Sequence, residues 1–164
     1  MVTVNQQRAF TLVELIIIIV LLGILAVSAY PLLGDRAGVD VATRQGELMS
    51  LLRLQQQRAM QDTASSQLYG VELSANQVVA IPGDADANVE APGAITLSLQ
   101  TTQGSTITEP VYFDAMGCPF VGVGKPAQLC NLNSGLEIVI SGAVERRVCL
   151  QSQGYIRAGQ CTAP

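Results

Sequence analysis

The sequence predicts an α+β protein in which a long N-terminal helix, transmembrane at its start and amphipathic further on, packs on an antiparallel β-sheet. Three observations lead to this fold class. An apolar run lies near the N-terminus, a segment of helical period follows it, and beyond Asp62 the period becomes that of short strands separated by turns. The 164 residues suffice for one such domain and one membrane segment.

The apolar run extends from Phe10 to Ala29 and contains one charged side chain, Glu14. A helix of about 20 residues is about 30 Å long, which matches the hydrocarbon thickness of a bilayer. The polar stretch before the run contains Arg8, and a basic flank favours a cytoplasmic N-terminus. We therefore expect a single-pass inner-membrane protein with a periplasmic C-terminal domain.

From Asp35 to Gln61 the chain has the period of an amphipathic helix. Apolar side chains recur on one face and charged side chains occupy the rest, so this helix is expected to cover a sheet. The apolar face comprises Val41, Leu48, Leu51, Leu52 and Ala59, and the charged positions are Arg44, Glu47, Arg53 and Arg58.

Seven segments after this helix have the composition of strands and are separated by turn residues. The first two are expected to form a hairpin, as are the next two and the last two. The order of strands in the sheet does not follow from the sequence. The segments are 67–73, 77–81, 95–100, 106–113, 136–140, 146–150 and 155–157.

Four cysteines lie in the last third of the chain, and no C-x-x-C spacing indicates a redox or zinc site. An even number of cysteines beyond an export segment favours disulfides, and three pairings are possible. The equal spacing of the two successive pairs makes two sequential loops the simplest choice, each stabilising by about 3 kcal/mol. The expected bonds are Cys118 with Cys130 and Cys149 with Cys161.

Composition argues against an enzyme. The chain has no His and a formal net charge of −4, so neither histidine-based catalysis nor a basic nucleic-acid surface has the residues that it needs. No cofactor is expected, and nucleic acid is not an expected partner.

One loop resembles the start of a calcium-binding loop, in which oxygen ligands occur at every second position. Its candidate ligands are Asp84, Asp86, Asn88 and Glu90. An EF-hand requires Gly at the sixth position and Glu at the twelfth, and this chain has neither. A solvated acidic loop is therefore the favoured interpretation.

Glu14 requires an explanation because a carboxylate at the centre of a membrane helix costs about 2.5–3.5 kcal/mol on insertion scales. Arg8 is six residues earlier, too far for the usual pairing along a helix. Either Glu14 lies at the level of the lipid headgroups or its partner is outside this chain. The residues alone leave both explanations open.

The stretch from Ala9 to Ile16, AFTLVELI, resembles the processing and methylation motif of type IV prepilins. The resemblance implies that prepilin peptidase cleaves between Ala9 and Phe10, that the new N-terminus at Phe10 is methylated, and that Glu14 is the fifth mature residue. It also implies a partner for Glu14, namely the Phe10 amine of a neighbouring subunit. Ala9 departs from the Gly usual in this family.

Gly23 and Pro31 stand at the spacings from Phe10 where pilins carry a helix-weakening Gly and Pro. Pro31 removes a backbone donor and clashes with the carbonyl of Val27, which predicts a kink or local melting. Gly23 alone is equally typical of helix packing in a membrane.

The expected organisation is a leader peptide at 1–9, a transmembrane and assembly helix at 10–30, and a periplasmic pilin-like domain at 31–164. Residues 48–60 resemble the corresponding helix of minor pilins in the mannose-sensitive haemagglutinin (MSHA) pilus system. The resemblance implies as partners other pilin subunits, prepilin peptidase and the inner-membrane assembly platform, with the mature protein in the pilus fibre.

Two alternatives to a pilus subunit remain. The first is a pseudopilin of a type II secretion system, because pseudopilins carry similar helices. The second is a secreted periplasmic binding domain with an ordinary signal peptide, because residues 27–29 have the small side chains of a signal-peptide cleavage site. A mature N-terminus at Phe10 favours a pilin, and one at Tyr30 favours secretion.

Overall fold

The computed structural model describes residues 12–29, 36–62, 64–83, 88–91, 93–122, 130 and 135–161. The chain divides into two compact units, Met1–Arg36 and Ala37–Pro164. The described part of the first unit is almost entirely helix α1, Leu12–Ala29. The α+β class predicted from the sequence is confirmed. The predicted N-terminal helix is described as two helical segments, α1 and a second helix, α2.

Helix α2, Arg36–Gln61, lies in the second unit apart from its first residue. It agrees within one residue with the predicted amphipathic helix, and all five residues of the predicted apolar face are buried. Its end is marked by Asp62, whose carboxylate accepts hydrogen bonds from the Ser65 amide at 3.1 Å and the Tyr69 hydroxyl at 2.8 Å. Asp62 thereby joins the end of the helix to the first strand.

The described strands form two antiparallel sheets of five strands each, whereas the sequence predicted one sheet. The first sheet has the order β3-β2-β1-β6-β7 and the second β10-β9-β8-β4-β5. The strands are β1 Tyr69–Leu73, β2 Gln77–Ile81, β3 Val89–Glu90, β4 Thr96–Thr101, β5 Thr106–Ile107, β6 Val111–Phe113, β7 Pro119–Val121, β8 Leu136–Ser141, β9 Arg146–Leu150 and β10 Ile156–Ala158.

Two of the three predicted hairpins are present as expected, and the third, β4 with β5, keeps only Thr106–Ile107 of its predicted second strand. Strands β1 and β2 pair with Val71 opposite Ala80, and β9 and β10 pair with Leu150 opposite Ile156. The short strands β3 and β7 were not predicted. Both are only two or three residues long, which is too short to show an alternating pattern.

The prediction of one strand over 106–113 is wrong. Thr106–Ile107 pairs with β4 in the second sheet, whereas Val111–Phe113 pairs with β1 in the first. Pro110 stands just before β6, and a proline has no N–H to contribute to a ladder. The chain therefore leaves one sheet and enters the other across this short connection.

The core lies where the apolar face of α2 meets both sheets. One cluster of buried side chains includes Leu48 and Leu52 of α2, Val71 of the first sheet and Ile138 of the second. Polar contacts also attach the helix. The side-chain amide of Gln45 donates to the carbonyl of Arg147 at 2.7 Å.

Candidate functional site

Helix α1 is apolar on every side. Its large apolar side chains from Leu12 to Leu25 are 43–74% exposed, and they follow no single face of the helix. A helix that is hydrophobic all round requires an apolar environment on all sides. Among the described residues, no helix meets the length and apolarity criteria for crossing a membrane.

Glu14 lies in the first turn of α1, where its carboxylate is exposed. The helix passes through Gly23 without interruption, and a methyl group at that position would meet no other described residue within 4 Å. Ala9, Phe10 and Pro31 lie outside the described residues, so cleavage, methylation and the weakening of the helix at Gly23 and Pro31 stay predictions.

The first disulfide joins Cys118 to Cys130, with their Cα atoms 5.0 Å apart. Asp114, which follows β6 and is buried, holds the loop together. Its Oδ1 accepts the amides of Met116 and Cys118, both at 2.9 Å, and its Oδ2 accepts the amide of Cys130 at 2.9 Å. One buried carboxylate thus binds the backbone at both cysteines.

The second disulfide joins Cys149 to Cys161, with their Cα atoms 5.1 Å apart. Cys161 lies beyond the register of the β9–β10 hairpin, and the chain turns back at Gly159, whose φ is +95°. Glu137 of β8, the cross-strand partner of Cys149, accepts the amide of Cys161 at 2.6 Å. Both bonds have the sequential pairing predicted from the equal spacing.

Glu137 is also paired with a cation. Its Oε2 lies 2.8 Å from a guanidinium nitrogen of Arg147, and Glu145 lies 2.7 Å from another nitrogen of the same group. The hydrogen bonds to these two carboxylates raise the pKa of Arg147, and the one to Glu137 has the largest effect. The buried charge of Glu137 is therefore balanced within the sheet.

Gln56 of α2 connects two turns, one from each sheet. Its side-chain Nε2 donates to the carbonyl of Gly117 at 2.7 Å and to that of Gly154 at 2.6 Å. Gly117 lies in the turn before Cys118, and Gly154 in the turn between β9 and β10. Since these turns belong to different sheets, one helix side chain joins both sheets at this end of the domain.

A shallow cleft of about 470 Å³ lies at the end of α2, lined by Arg58, Gln61, Asp62 and Tyr69. The hydrogen bond to Asp62 raises the pKa of Tyr69. Because the carboxylate of Asp62 also binds Ser65, these groups serve the connection between α2 and β1.

The calcium candidates are only partly described. Asp84 and Asp86 lie outside the described residues, Asn88 accepts the Ala80 amide at 3.4 Å, and Glu90 is an exposed residue of β3. Asp114, Cys118 and Cys130 bring three potential metal-binding atoms within 4.8 Å of one another. Both sulfurs are bonded to each other, so this trio lacks the thiolates that a soft metal requires.

Sequence reasoning missed Asp114, Glu137 and Gln56. Asp114 had a detectable signal, since an Asp that begins a four-residue turn ending in Gly commonly binds the backbone of its own turn. Glu137 had no such signal in the sequence. The alternation of side chains along β8 places it on the face that points away from the core, which predicts an exposed side chain. The partners of Gln56 are 61 and 98 residues away in sequence.

Comparison with known protein families adds one finding. Residues 4–30 match the prokaryotic N-terminal methylation motif. The match supports a type IV pilin-like, or prepilin, protein, and the motif implies processing by prepilin peptidase and assembly with other pilins. Neither a curated protein nor a solved structure matches the chain.

Proposed function

We propose that this chain is a minor pilin, a structural and assembly subunit of a type IV pilus related to the MSHA system, with no enzymatic activity. The observation that carries the proposal is the methylation motif over residues 4–30, which coincides with a helix apolar on all sides. Such a helix gives a structural subunit its contact with lipid and with other subunits.

The proposed maturation takes place at the start of the motif. Prepilin peptidase removes residues 1–9, and the amine of Phe10 becomes the methylated N-terminus. The helix then stands in the inner membrane as a single pass, with the C-terminal domain in the periplasm, until the assembly platform transfers it to the fibre. Its apolar side chains are in contact with lipid before assembly and with neighbouring helices afterwards.

Glu14 directs assembly in this proposal. Its carboxylate meets the Phe10 amine of a neighbouring subunit inside the apolar fibre, where low polarity strengthens the attraction between opposite charges. Any other register leaves both charges buried and unpaired, which is costly. The pair therefore selects the stagger between subunits.

The domain suits the role of an exposed module on this helix. Two disulfides and the attachment of α2 to both sheets hold it together after secretion. A pseudopilin of type II secretion would carry the same N-terminal motif, so the choice between the two systems depends on where the protein assembles.

Mass spectrometry of the N-terminal peptide from membrane-derived protein tests the proposal. We expect a peptide that begins at methylated Phe10. An intact Met1, or a peptide that begins at Tyr30, would contradict it. Immunoblotting of sheared pili then tests the choice of system, because a pseudopilin stays with the secretion apparatus and is absent from that fraction.

A further inference from the structure

We propose that Asp114 and Glu137 are positioning residues for the two disulfides: each buried carboxylate holds the second cysteine beside the first, which selects the pairing and slows reduction of that bond. This inference does not depend on the proposed pilin function. It concerns how the domain acquires and keeps its crosslinks.

A similar arrangement occurs twice, in different sheets, and in each a buried carboxylate accepts the amide of the second cysteine. Asp114 binds the amide of Cys118 and, 12 residues later, that of Cys130. Glu137 lies opposite Cys149 on the neighbouring strand and binds the amide of Cys161. In the described part of the chain these two are the only buried acidic side chains.

The buried carboxylates make the closed loops favourable before any bond forms. Hydrogen bonds to a charged acceptor are roughly twice as strong as neutral ones, and a buried carboxylate without donors is strongly disfavoured. In the reduced chain, Asp114 therefore retains the amide of Cys130, and Glu137 that of Cys161. Each thiol then meets its native partner at a high local concentration, whereas the other two pairings require these hydrogen bonds to break.

Oxidation follows thiol–disulfide exchange. The thiolate of one cysteine attacks a low-molecular-weight disulfide such as oxidised glutathione and releases one glutathione thiolate. The second cysteine, as its thiolate, attacks the mixed disulfide, which forms the protein bond and releases a second glutathione thiolate. Both protein thiols lose their protons to water, and the glutathione disulfide takes up the two electrons.

Reduction reverses these exchange steps, and two effects slow it. An external dithiol must reach a bond whose second cysteine is fixed by the carboxylate, and a protein thiolate must leave. At the first disulfide the leaving sulfur lies within 4.8 Å of the Asp114 carboxylate, and like charges disfavour that thiolate. Glu137 supplies the geometric obstacle, and its charge is balanced by Arg147. Asp114 is therefore expected to have the larger effect.

The test compares Asp114→Asn and Glu137→Gln in the full chain, kept in detergent. Glu145→Gln is the matched control for the second variant, because it also removes a partner of Arg147 but makes no hydrogen bond to a cysteine. Folded protein is treated with dithiothreitol, free thiols are alkylated at intervals, and mass spectrometry follows each disulfide separately.

We expect Asp114→Asn to accelerate reduction of Cys118–Cys130 by about tenfold or more, the scale of a lost charged hydrogen bond. Cys149–Cys161 should be unchanged in that variant. Glu137→Gln should show the reverse selectivity, and Glu145→Gln should change neither bond.

Equal acceleration of both bonds by either variant would show general destabilisation and would overturn the proposal. Unchanged rates at both bonds would overturn it as well. If Asp114→Asn does not fold, Glu137→Gln carries the same test, since acceleration confined to Cys149–Cys161 supports the proposal and any other pattern contradicts it.

Discussion

The two helices of this chain differ in where their apolar surface is covered. Helix α2 is apolar on one face, and that face is buried against two sheets of its own unit. Helix α1 is apolar on all faces, and its described side chains are exposed. A helix is stabilised by the burial of its apolar surface, so the apolar face of α2 contributes to the folding of its own unit. The apolar surface of α1 is available for the contacts with other pilins that the methylation motif implies.

The sharpest test of this difference applies one substitution to both helices. Leu52 of α2 is fully buried, whereas Leu22 of α1 is 59% exposed. We expect Leu52→Ala to lower the free energy of unfolding of the domain by about 2–5 kcal/mol, from lost burial and the cavity left behind.

Leu22→Ala is the matched control and should leave that free energy unchanged. Urea unfolding followed by tyrosine fluorescence measures both variants in detergent. Similar losses in the two variants would show that α1 is part of the folded domain.

A second test addresses the attachment of α2 to the sheets. Gly154 has a φ of +84°, and a Cβ there would overlap the carbonyl of Gly117 and lie 2.9 Å from Nε2 of Gln56. Gly154→Ala should therefore lower the free energy of unfolding by about 2–3 kcal/mol through backbone strain and overpacking.

Gly104 is the control for the strain alone. Its φ is +85°, and a Cβ there would meet nothing within 4 Å in the described part of the chain. Gly104→Ala should be the milder variant in urea unfolding. Equal losses would mean that the junction at Gln56 contributes little.

A smaller effect of opposite sign is expected at Gln55. This residue of α2 is fully buried, and neither the nitrogen nor the oxygen of its side-chain amide has a hydrogen-bond partner among the described residues. Gln55→Met keeps the length of the side chain and removes the unpaired groups, so it should stabilise the domain by about 1 kcal/mol. Gln57→Met on the exposed face should give no gain, and thermal melting of both variants provides the comparison. A loss of stability at position 55 would indicate that the amide has a partner in the folded protein.

The smallest effect on the folded domain is expected from Glu14→Val. This variant should leave protein level and disulfides intact while incorporation into the fibre falls, because in the proposed function the carboxylate acts between subunits. Glu14→Asp keeps the charge but shortens the side chain, so its incorporation into the fibre should lie between that of the unsubstituted protein and that of the Val variant. Immunoblots of sheared pili against the membrane pool measure the effect, and normal incorporation of the Val variant would show that the charge is dispensable.

The sequence predicted those elements whose pattern is local. Helix α2 was placed within one residue, and the ranges of β2 and β9 agree with their predictions. The strand predicted over 106–113 failed because the pattern does not show which sheet each half joins. Pro110 was the available signal.

The features of the candidate site also separate into those with a local sequence pattern and those without one. The methylation motif and the pairing of the cysteines were predicted from residue order and spacing, because each depends on neighbours in the chain or on a short loop. Asp114, Glu137 and Gln56 were not, since their roles depend on backbone groups brought close by folding.

By itself, the sequence determined that a helix apolar on all sides precedes an amphipathic helix, short strands and two sequential disulfide loops. Composition and period carry that information, because they decide which surfaces must avoid water. Only the tertiary structure decided that the strands form two sheets, that one glutamine joins them, and that a buried carboxylate holds each disulfide. These features depend on which distant backbone groups come to lie beside a given side chain, and the order of residues does not specify that directly.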